Sequence, residues 1–294
     1  MTQDKGRFLL ITYRTEKSTF LTIAPLLILS FLIGKFYSSL DPLLYLFQPG
    51  SENYSFQVLE GLILVSVTII SGFLIVLALK KNLLKLLKIF YGCIFFISSI
   101  SIFWVHGYFI EIVVSMDSFW LEIVFAVIGL LIGIFSVYII ILEKLEVLSK
   151  NILVFILGLA IGTVFGTVFP LVSFLSLLIF ISVFDIYSVF KGPINSLLKR
   201  TNMSISSNQA PVVTTSVAIG IGDFVFYSAA VTFTTKEFGL ALGFASIVGI
   251  IVGMKMTKNM LSRYGKFPGL PIPIFLSLIL VLIGWLVSNY ILPF

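Results

Sequence analysis

Two aspartates, Asp185 and Asp223, lie inside long apolar runs of the chain and are the only acidic residues between Glu146 and Glu237. An ionisable side chain in the centre of a membrane costs about 2.5–3.5 kcal/mol or more, so such residues are rare without a function. A single buried aspartate is equally consistent with a protonated side chain that hydrogen-bonds a neighbouring helix. Two aspartates in consecutive apolar runs favour a functional site.

Two facing carboxyl groups in a poorly hydrated site cannot easily both ionise, so they are expected to share one proton. The ionised group can take a proton from water while the protonated group donates a hydrogen bond to a peptide carbonyl, which is the chemistry of peptide hydrolysis by two aspartates. This chemistry needs no cofactor. A single histidine, His106, and a single cysteine, Cys93, exclude a zinc site built from histidines and a cysteine metal cluster.

Glycines and prolines flank this chemistry in the sequence. Gly220 and Gly222 precede Asp223 and permit close backbone approach and local unwinding. Near the start of the last apolar run, two prolines interrupt the helix in an element that consists of Pro268, Gly269, Leu270 and Pro271. Irregular backbone at membrane depth is tolerated where it lines a cavity or is covered by protein. Free backbone groups at such a break could hold an unwound peptide segment as an added strand.

Three aromatic side chains lie close to the aspartates in sequence. Phe184 directly precedes Asp185, Tyr187 follows it by two positions, and Tyr227 lies one helical turn after Asp223. These residues are candidates for contacts that support the two carboxyl groups, although phenols of this kind are usually structural.

The composition indicates which kind of secondary structure positions the two aspartates. The 294 residues are 59% hydrophobic and 11% charged, with a mean hydropathy of +1.15. Soluble chains contain about 25% charged residues. Long continuous apolar runs indicate helices, not the alternating strands of a membrane barrel. The fold class is therefore an all-α, multi-pass protein of the cell membrane in contact with lipid, and the scattered basic residues disfavour a nucleic-acid partner.

Apolar runs of about 17–25 residues predict nine transmembrane helices. Together they form one polytopic domain over residues 1–294, with the first five spans as a scaffold (about 20–169) and the last four as the catalytic part (about 171–292). The nine spans are Phe20–Tyr37, Gln57–Leu79, Leu84–Val105, Ser118–Leu142, Asn151–Phe169, Leu171–Phe190, Pro211–Phe233, Phe238–Met256 and Pro271–Leu292.

The distribution of positive charge predicts the orientation. With nine spans, all of the 19 basic residues except Lys35 and Lys236 fall on the side of the N-terminus. Basic loops favour the cytoplasm, so the N-terminus is expected to be cytoplasmic and the C-terminus extracellular. Asp185 then lies about 9 Å from the cytoplasmic end of its span, and Asp223 about 18 Å if its span is helical from Pro211. An irregular start to that span would bring the two depths closer together.

The order of these motifs resembles the presenilin and signal peptide peptidase family of intramembrane aspartyl proteases. The resemblance rests on Phe184-Asp185, where the family usually has Tyr-Asp, on the intact Gly-x-Gly-Asp that ends at Asp223, and on residues 268–271, where Gly269 replaces the family's alanine. The chain is most similar to the archaeal members, since it is compact and lacks long loops.

The resemblance implies a catalytic dyad of Asp185 and Asp223, which hydrolyses peptide bonds in or near the transmembrane segments of membrane proteins. It also implies that the 268–271 element helps to shape the active site and to bind substrate. The expected orientation is similar to that of presenilins and opposite to that of signal peptide peptidase. Presenilins carry a long self-cleaved loop between the sixth and seventh spans, and the shorter stretch of about 191–210 predicts no self-cleavage here. The sequence indicates no partner subunit.

Two other functions remain open at this point. A proton- or cation-coupled transporter or channel would also use intramembrane acids and interrupted helices. Transporters usually repeat such interruptions in two halves, however, whereas here they all lie in the last 110 residues. A prepilin-peptidase relative also uses Gly-x-Gly-Asp, but nine spans and the proline element disfavour it.

Overall fold

The structure is a computed structural model that describes residues 10–13, 16–40, 84–115, 119–142, 147–190, 217–264 and 267–291, with scattered positions between 58 and 70. Its elements in chain order are β1 (Leu10–Tyr13), α1 (Glu16–Phe36), a 3-10 turn (Tyr37–Ser39), α2 (Leu84–Val114), α3 (Phe119–Leu142), α4 (Val147–Val168), α5 (Leu171–Phe190), β2 (Val217–Gly220), α6 (Ile221–Phe238), α7 (Leu240–Tyr264), α8 (Pro271–Leu286) and a terminal π-helical turn (Val287–Ile291).

Six of these helices are long and apolar enough to cross a membrane. They correspond to α2, α3, α4, α5, α7 and α8, and a shorter apolar helix covers Ile23–Ser39 in α1 and its 3-10 turn. The chain is therefore a multi-pass membrane protein built from helices. The predicted second span lies mostly outside the described residues, and the count of nine spans and their orientation stay predictions.

Helices α2 and α7 extend by two turns or more beyond the ends that hydropathy predicts. Helix α2 continues nine residues past Val105 to Val114, because neither Gly107 nor Glu111 stops a helix within an apolar sequence. It ends at Ser115, whose φ of 54° places it in the left-handed region. Helix α7 likewise continues past Met256 to Tyr264. Hydropathy marks the end of an apolar run, whereas a helix can continue through polar residues beyond it.

His106 follows the predicted end of the third span at Val105, and in the structure it is buried within α2. Its Nδ1 lies 2.6 Å from the hydroxyl oxygen of Tyr37, and its Nε2 lies 3.1 Å from the carbonyl oxygen of Ala160. The hydroxyl of Thr163 is also within hydrogen-bonding distance of Nε2. The imidazole thus links α2 to α4 and to the 3-10 turn that follows α1.

The predicted seventh span begins differently from the prediction. Residues Val217–Gly220 form β2, and the helix starts only at Ile221 and runs to Phe238. A helix from Pro211 is therefore wrong, because β-branched residues before Gly220 favour an extended chain and the glycines weaken a helix. Helix α6 also contains Asp223, Lys236 and Glu237 and is not among the six clear membrane spans.

A small antiparallel sheet is an addition to the predicted all-α fold. Strand β1 pairs with β2, with Leu10 opposite Gly220 and Tyr13 opposite Val217. Gly220 is the last residue of β2, and α6 follows without an intervening residue. The N-terminal strand is consequently anchored three residues before Asp223.

Helix α6 forms the centre of the helix assembly. It packs against α1, α4 and α7, and the main hydrophobic core draws residues from α1, α4, α5, α6, α7 and α8. Gly158, Gly162 and Gly166 of α4 all face α6, where a Cβ atom would collide with it. Small residues at four-residue spacing allow two helices to pack this closely.

We expect Gly166→Ala to destabilise the protein by about 1–3 kcal/mol, because overpacking forces backbone to move. A Cβ at this position would lie 2.5 Å from the carbonyl oxygen of Ala229 and 2.9 Å from the backbone nitrogen of Phe233. Gly92→Ala is the matched control, since its Cβ would be 3.8 Å from the closest atom, in Val137. Both changes replace a helical glycine, so a difference in thermal unfolding isolates the packing of α4 on α6. Equal unfolding midpoints would contradict this account.

Candidate active site

Asp185 and Asp223 lie on α5 and α6, the predicted sixth and seventh spans. Asp185 is in the last two turns of α5, whereas Asp223 is in the first turn of α6. Both side chains are partly buried. Because β2 replaces the predicted first turns of the seventh span, Asp223 lies near the start of its helix and not three turns inside it. The start of this span is thus irregular, which the sequence left open, and a similar membrane depth of the two aspartates stays a prediction.

The proline element connects the end of α7 to α8. Pro268 and Leu270 are buried, and Pro271 is the first residue of α8. Proline is suited to this position because the first N–H of a helix has no helical partner and the ring fixes φ near its helical value. The first turn closes with a hydrogen bond from Ile274 N–H to the Leu270 carbonyl. The predicted start of the last span at Pro271 is confirmed.

Both carboxyl groups meet this element at adjacent residues. The backbone N–H of Leu270 donates to Oδ2 of Asp185 at 3.1 Å, and the N–H of Gly269 also interacts with this carboxyl group. On the other side, a Cβ atom on Gly269 would lie 2.8 Å from Oδ2 and 3.1 Å from Oδ1 of Asp223. The absence of a side chain at Gly269 thus makes room for the Asp223 carboxyl group. The structure brings together the two aspartates and the 268–271 element.

Tyr227 joins the same group of residues. Its side chain is 3% exposed, and its hydroxyl donates a hydrogen bond of 2.9 Å to the carbonyl oxygen of Gly269. It is also close enough to Asp223 and Asp185 for the charge of either carboxylate to act on the phenol. The sequence placed Tyr227 near the dyad, but its partner lies 42 residues away and was not predicted.

The other two aromatic candidates do not join the site in the same way. Phe184 packs against the main hydrophobic core. Tyr187 is 56% exposed on α5. Two residues after Asp185 is about 200° around a helix, so the Tyr187 side chain leaves on the opposite side. By sequence, Tyr227 and Tyr187 are both close to an aspartate. In the structure, Tyr227 lies at the site, whereas the Tyr187 side chain leaves on the opposite side of α5.

The backbone of the 268–271 element is less available than the sequence suggests. The Gly269 carbonyl accepts from Tyr227, and the Leu270 N–H donates to Asp185. The two prolines have no N–H to offer. Strand addition of an unwound substrate would have to use the remaining backbone groups of this element, and it stays a prediction.

Gly222 has a different environment from Gly269. A Cβ atom on Gly222 would meet no other atom within 4 Å. The space beside this residue, directly before Asp223, is therefore open within the described part of the chain. Over the same residues, no group of three or more His, Cys, Asp or Glu side chains could hold a metal ion.

Comparisons with known proteins found a family model and a solved structure that are similar to this chain. Residues 199–291 match the family model for presenilin, a range that includes Asp223 and the 268–271 element but not Asp185. A solved structure described as a presenilin family intramembrane aspartate protease is similar over 92% of this chain and 99% of its own, with a TM-score of 0.57 and 18% sequence identity. No curated protein matches the chain. An archaeal origin stays a prediction.

Proposed function

We propose that this membrane protein is an intramembrane aspartyl endopeptidase. The match of residues 199–291 to the presenilin family model and the fold shared with a presenilin family protease support the proposal. The observation that carries the proposal is the convergence of Asp185 and Asp223 on the adjacent residues Gly269 and Leu270. Two carboxyl groups on separate helices that meet one backbone segment can act on one water molecule and one peptide bond.

The proposed reaction uses the two carboxyl groups in complementary protonation states. The carboxylate removes a proton from water, the resulting hydroxide attacks the peptide carbonyl carbon, and the protonated carboxyl group donates to the carbonyl oxygen. Collapse of the tetrahedral intermediate breaks the C–N bond. The carboxyl group that took a proton from water gives it to the leaving nitrogen, and the other carboxyl group takes its proton back from the oxygen of the former carbonyl. The products are a new carboxylate and a new amine, and the dyad returns to its starting state.

The proposed substrate is a transmembrane segment of a membrane protein, presented in the cell membrane. A transmembrane helix offers no free carbonyl because its backbone groups are paired with one another, so the substrate must unwind locally. The open space beside Gly222 supports entry of an extended backbone next to Asp223. No partner subunit enters this proposal.

The proposal is tested by incubation of the purified protein in liposomes with a synthetic transmembrane peptide. We expect two product peptides whose masses add up to that of the substrate plus one water molecule. Ion-driven solute uptake by the same liposomes, without any cleavage of several such peptides, would favour the transporter and would overturn the proposal.

A further inference from the structure

We propose that Tyr227 is a positioning residue that fixes the direction of the Leu270 N–H and through it the orientation of the Asp185 carboxyl group. This role rests on the proposed peptidase function. Tyr227 itself does not contact Asp185 through this link, since a backbone peptide group lies between them.

The link consists of two hydrogen bonds to one peptide group. The carbonyl of Gly269 accepts from the Tyr227 hydroxyl at 2.9 Å. The N–H of Leu270, which belongs to the same peptide group, donates to Oδ2 of Asp185 at 3.1 Å. A peptide group is planar, so its C=O and N–H point in opposite directions and rotate together. A bond that fixes the C=O therefore also aims the N–H.

The sequence around this peptide group explains why it needs an external anchor. Leu270 precedes the first helical residue of α8, so its N–H has no helical acceptor. The two flanking prolines contribute no N–H, and Gly269 has unusual backbone freedom. Without the Tyr227 bond, the peptide plane between Gly269 and Leu270 could rotate away from Asp185.

Tyr227 is well placed to provide this anchor. It lies four residues after Asp223, on the same face of α6, and is almost fully buried in the central core. The position of Asp223 and the direction of the Leu270 N–H are thus both set by one rigid helix. Successive hydrogen bonds through a peptide group also polarise one another, which strengthens the bond to Asp185.

If Tyr227 had a structural role alone, its hydroxyl would satisfy the Gly269 carbonyl and would contribute to stability only. The two roles differ in kinetics. Loss of a structural bond lowers the amount of folded enzyme, whereas loss of the positioning bond lowers kcat of the enzyme that is folded. Because the bond does not contact the substrate, KM should change little.

The test compares three variants in the liposome cleavage assay, with rates normalised to folded protein. For Tyr227→Phe we expect kcat to fall by about 10- to 100-fold, with KM within about threefold of the wild type. Replacement of Tyr227 by para-aminophenylalanine, which retains a donor at the same place, should keep kcat within about tenfold of the wild type. Tyr187→Phe, on the exposed face of α5, is the matched control and should have wild-type kinetics.

Wild-type kcat in Tyr227→Phe would overturn the positioning role while leaving the proposed function intact. A low kcat in the folded para-aminophenylalanine variant would also overturn it, and this variant decides the matter if Tyr227→Phe does not fold. Absence of cleavage by the wild-type protein would overturn the proposed function and this role with it.

Discussion

Replacement of either Asp185 or Asp223 by asparagine is expected to reduce peptide cleavage by about 10³-fold or more. Each amide has the size of the carboxyl group but cannot exchange the proton that the reaction requires. Asp185→Asn retains an oxygen that can accept from Leu270 N–H, so this variant should fold normally. The measurement is the initial rate of cleavage of a transmembrane peptide in liposomes.

The matched control is Glu122→Gln, which converts a carboxyl group to an amide on α3 at a distance from the site. It should cleave at the wild-type rate, and all three variants should show similar thermal unfolding. Hydrolysis at more than about a tenth of the wild-type rate in either aspartate variant would remove that residue from the mechanism, because a dyad cannot work with one member missing.

Gly269→Val is expected to reduce kcat/KM by about 10²-fold, the effect of a displacement of roughly 1 Å at a catalytic group. The Cβ of any side chain at this position meets the Asp223 carboxyl group, and valine adds two methyl groups to that collision. Gly269→Ala adds the Cβ alone. Because the family that this chain resembles has alanine there, we expect a smaller loss, below about tenfold.

The comparison of Gly269→Ala with Gly269→Val tests whether the loss of activity comes from a collision with the Asp223 carboxyl group or from a general disturbance of α8. Ile279→Val changes an exposed side chain of the same helix and should leave the kinetics unchanged. Valine and alanine at position 269 with the same rate as the wild type would show that the Asp223 carboxyl group does not need the space beside Gly269.

The catalytic candidates could be found from the sequence because they are acidic or helix-breaking residues within long apolar runs. Acids and paired prolines stand out in a chain that is 59% hydrophobic, since each is costly in lipid without a compensating role. The start of α8 at Pro271 was predictable for the same reason. These positions depend on local chemistry and not on the arrangement of distant residues.

Other features depend on contacts that a hydropathy pattern does not contain. The stretch from Pro211 to Phe233 is apolar enough on average to read as one span, so hydropathy alone does not distinguish the strand β2 from the helix α6. The position of β2 depends on its partner β1, about 200 residues earlier in the chain. The bond of Tyr227 to Gly269 likewise joins two elements that are distant in sequence.

The burial of His106, in the first half of the chain, also depends on contacts that a hydropathy pattern does not contain. Hydropathy indicates only that His106 follows the predicted end of the third span at Val105. Its burial depends on Tyr37 of the turn after α1 and on Ala160 of α4. Both partners are more than 50 residues away, and neither has a sequence signature that points to a histidine.

If Asp185 and Asp223 act together on one water molecule and one peptide bond, both should contact the same atom of a bound transition-state mimic. The probe is a transmembrane peptide in which a secondary alcohol replaces the carbonyl of the cleaved bond, and the measurement is its dissociation constant with the wild-type protein, Asp185→Asn and Asp223→Asn. The hydroxyl of the probe should bridge the two carboxyl groups, so we predict that each variant loses affinity by about 10²-fold or more. Wild-type affinity in either variant would show that the two aspartates do not share a site.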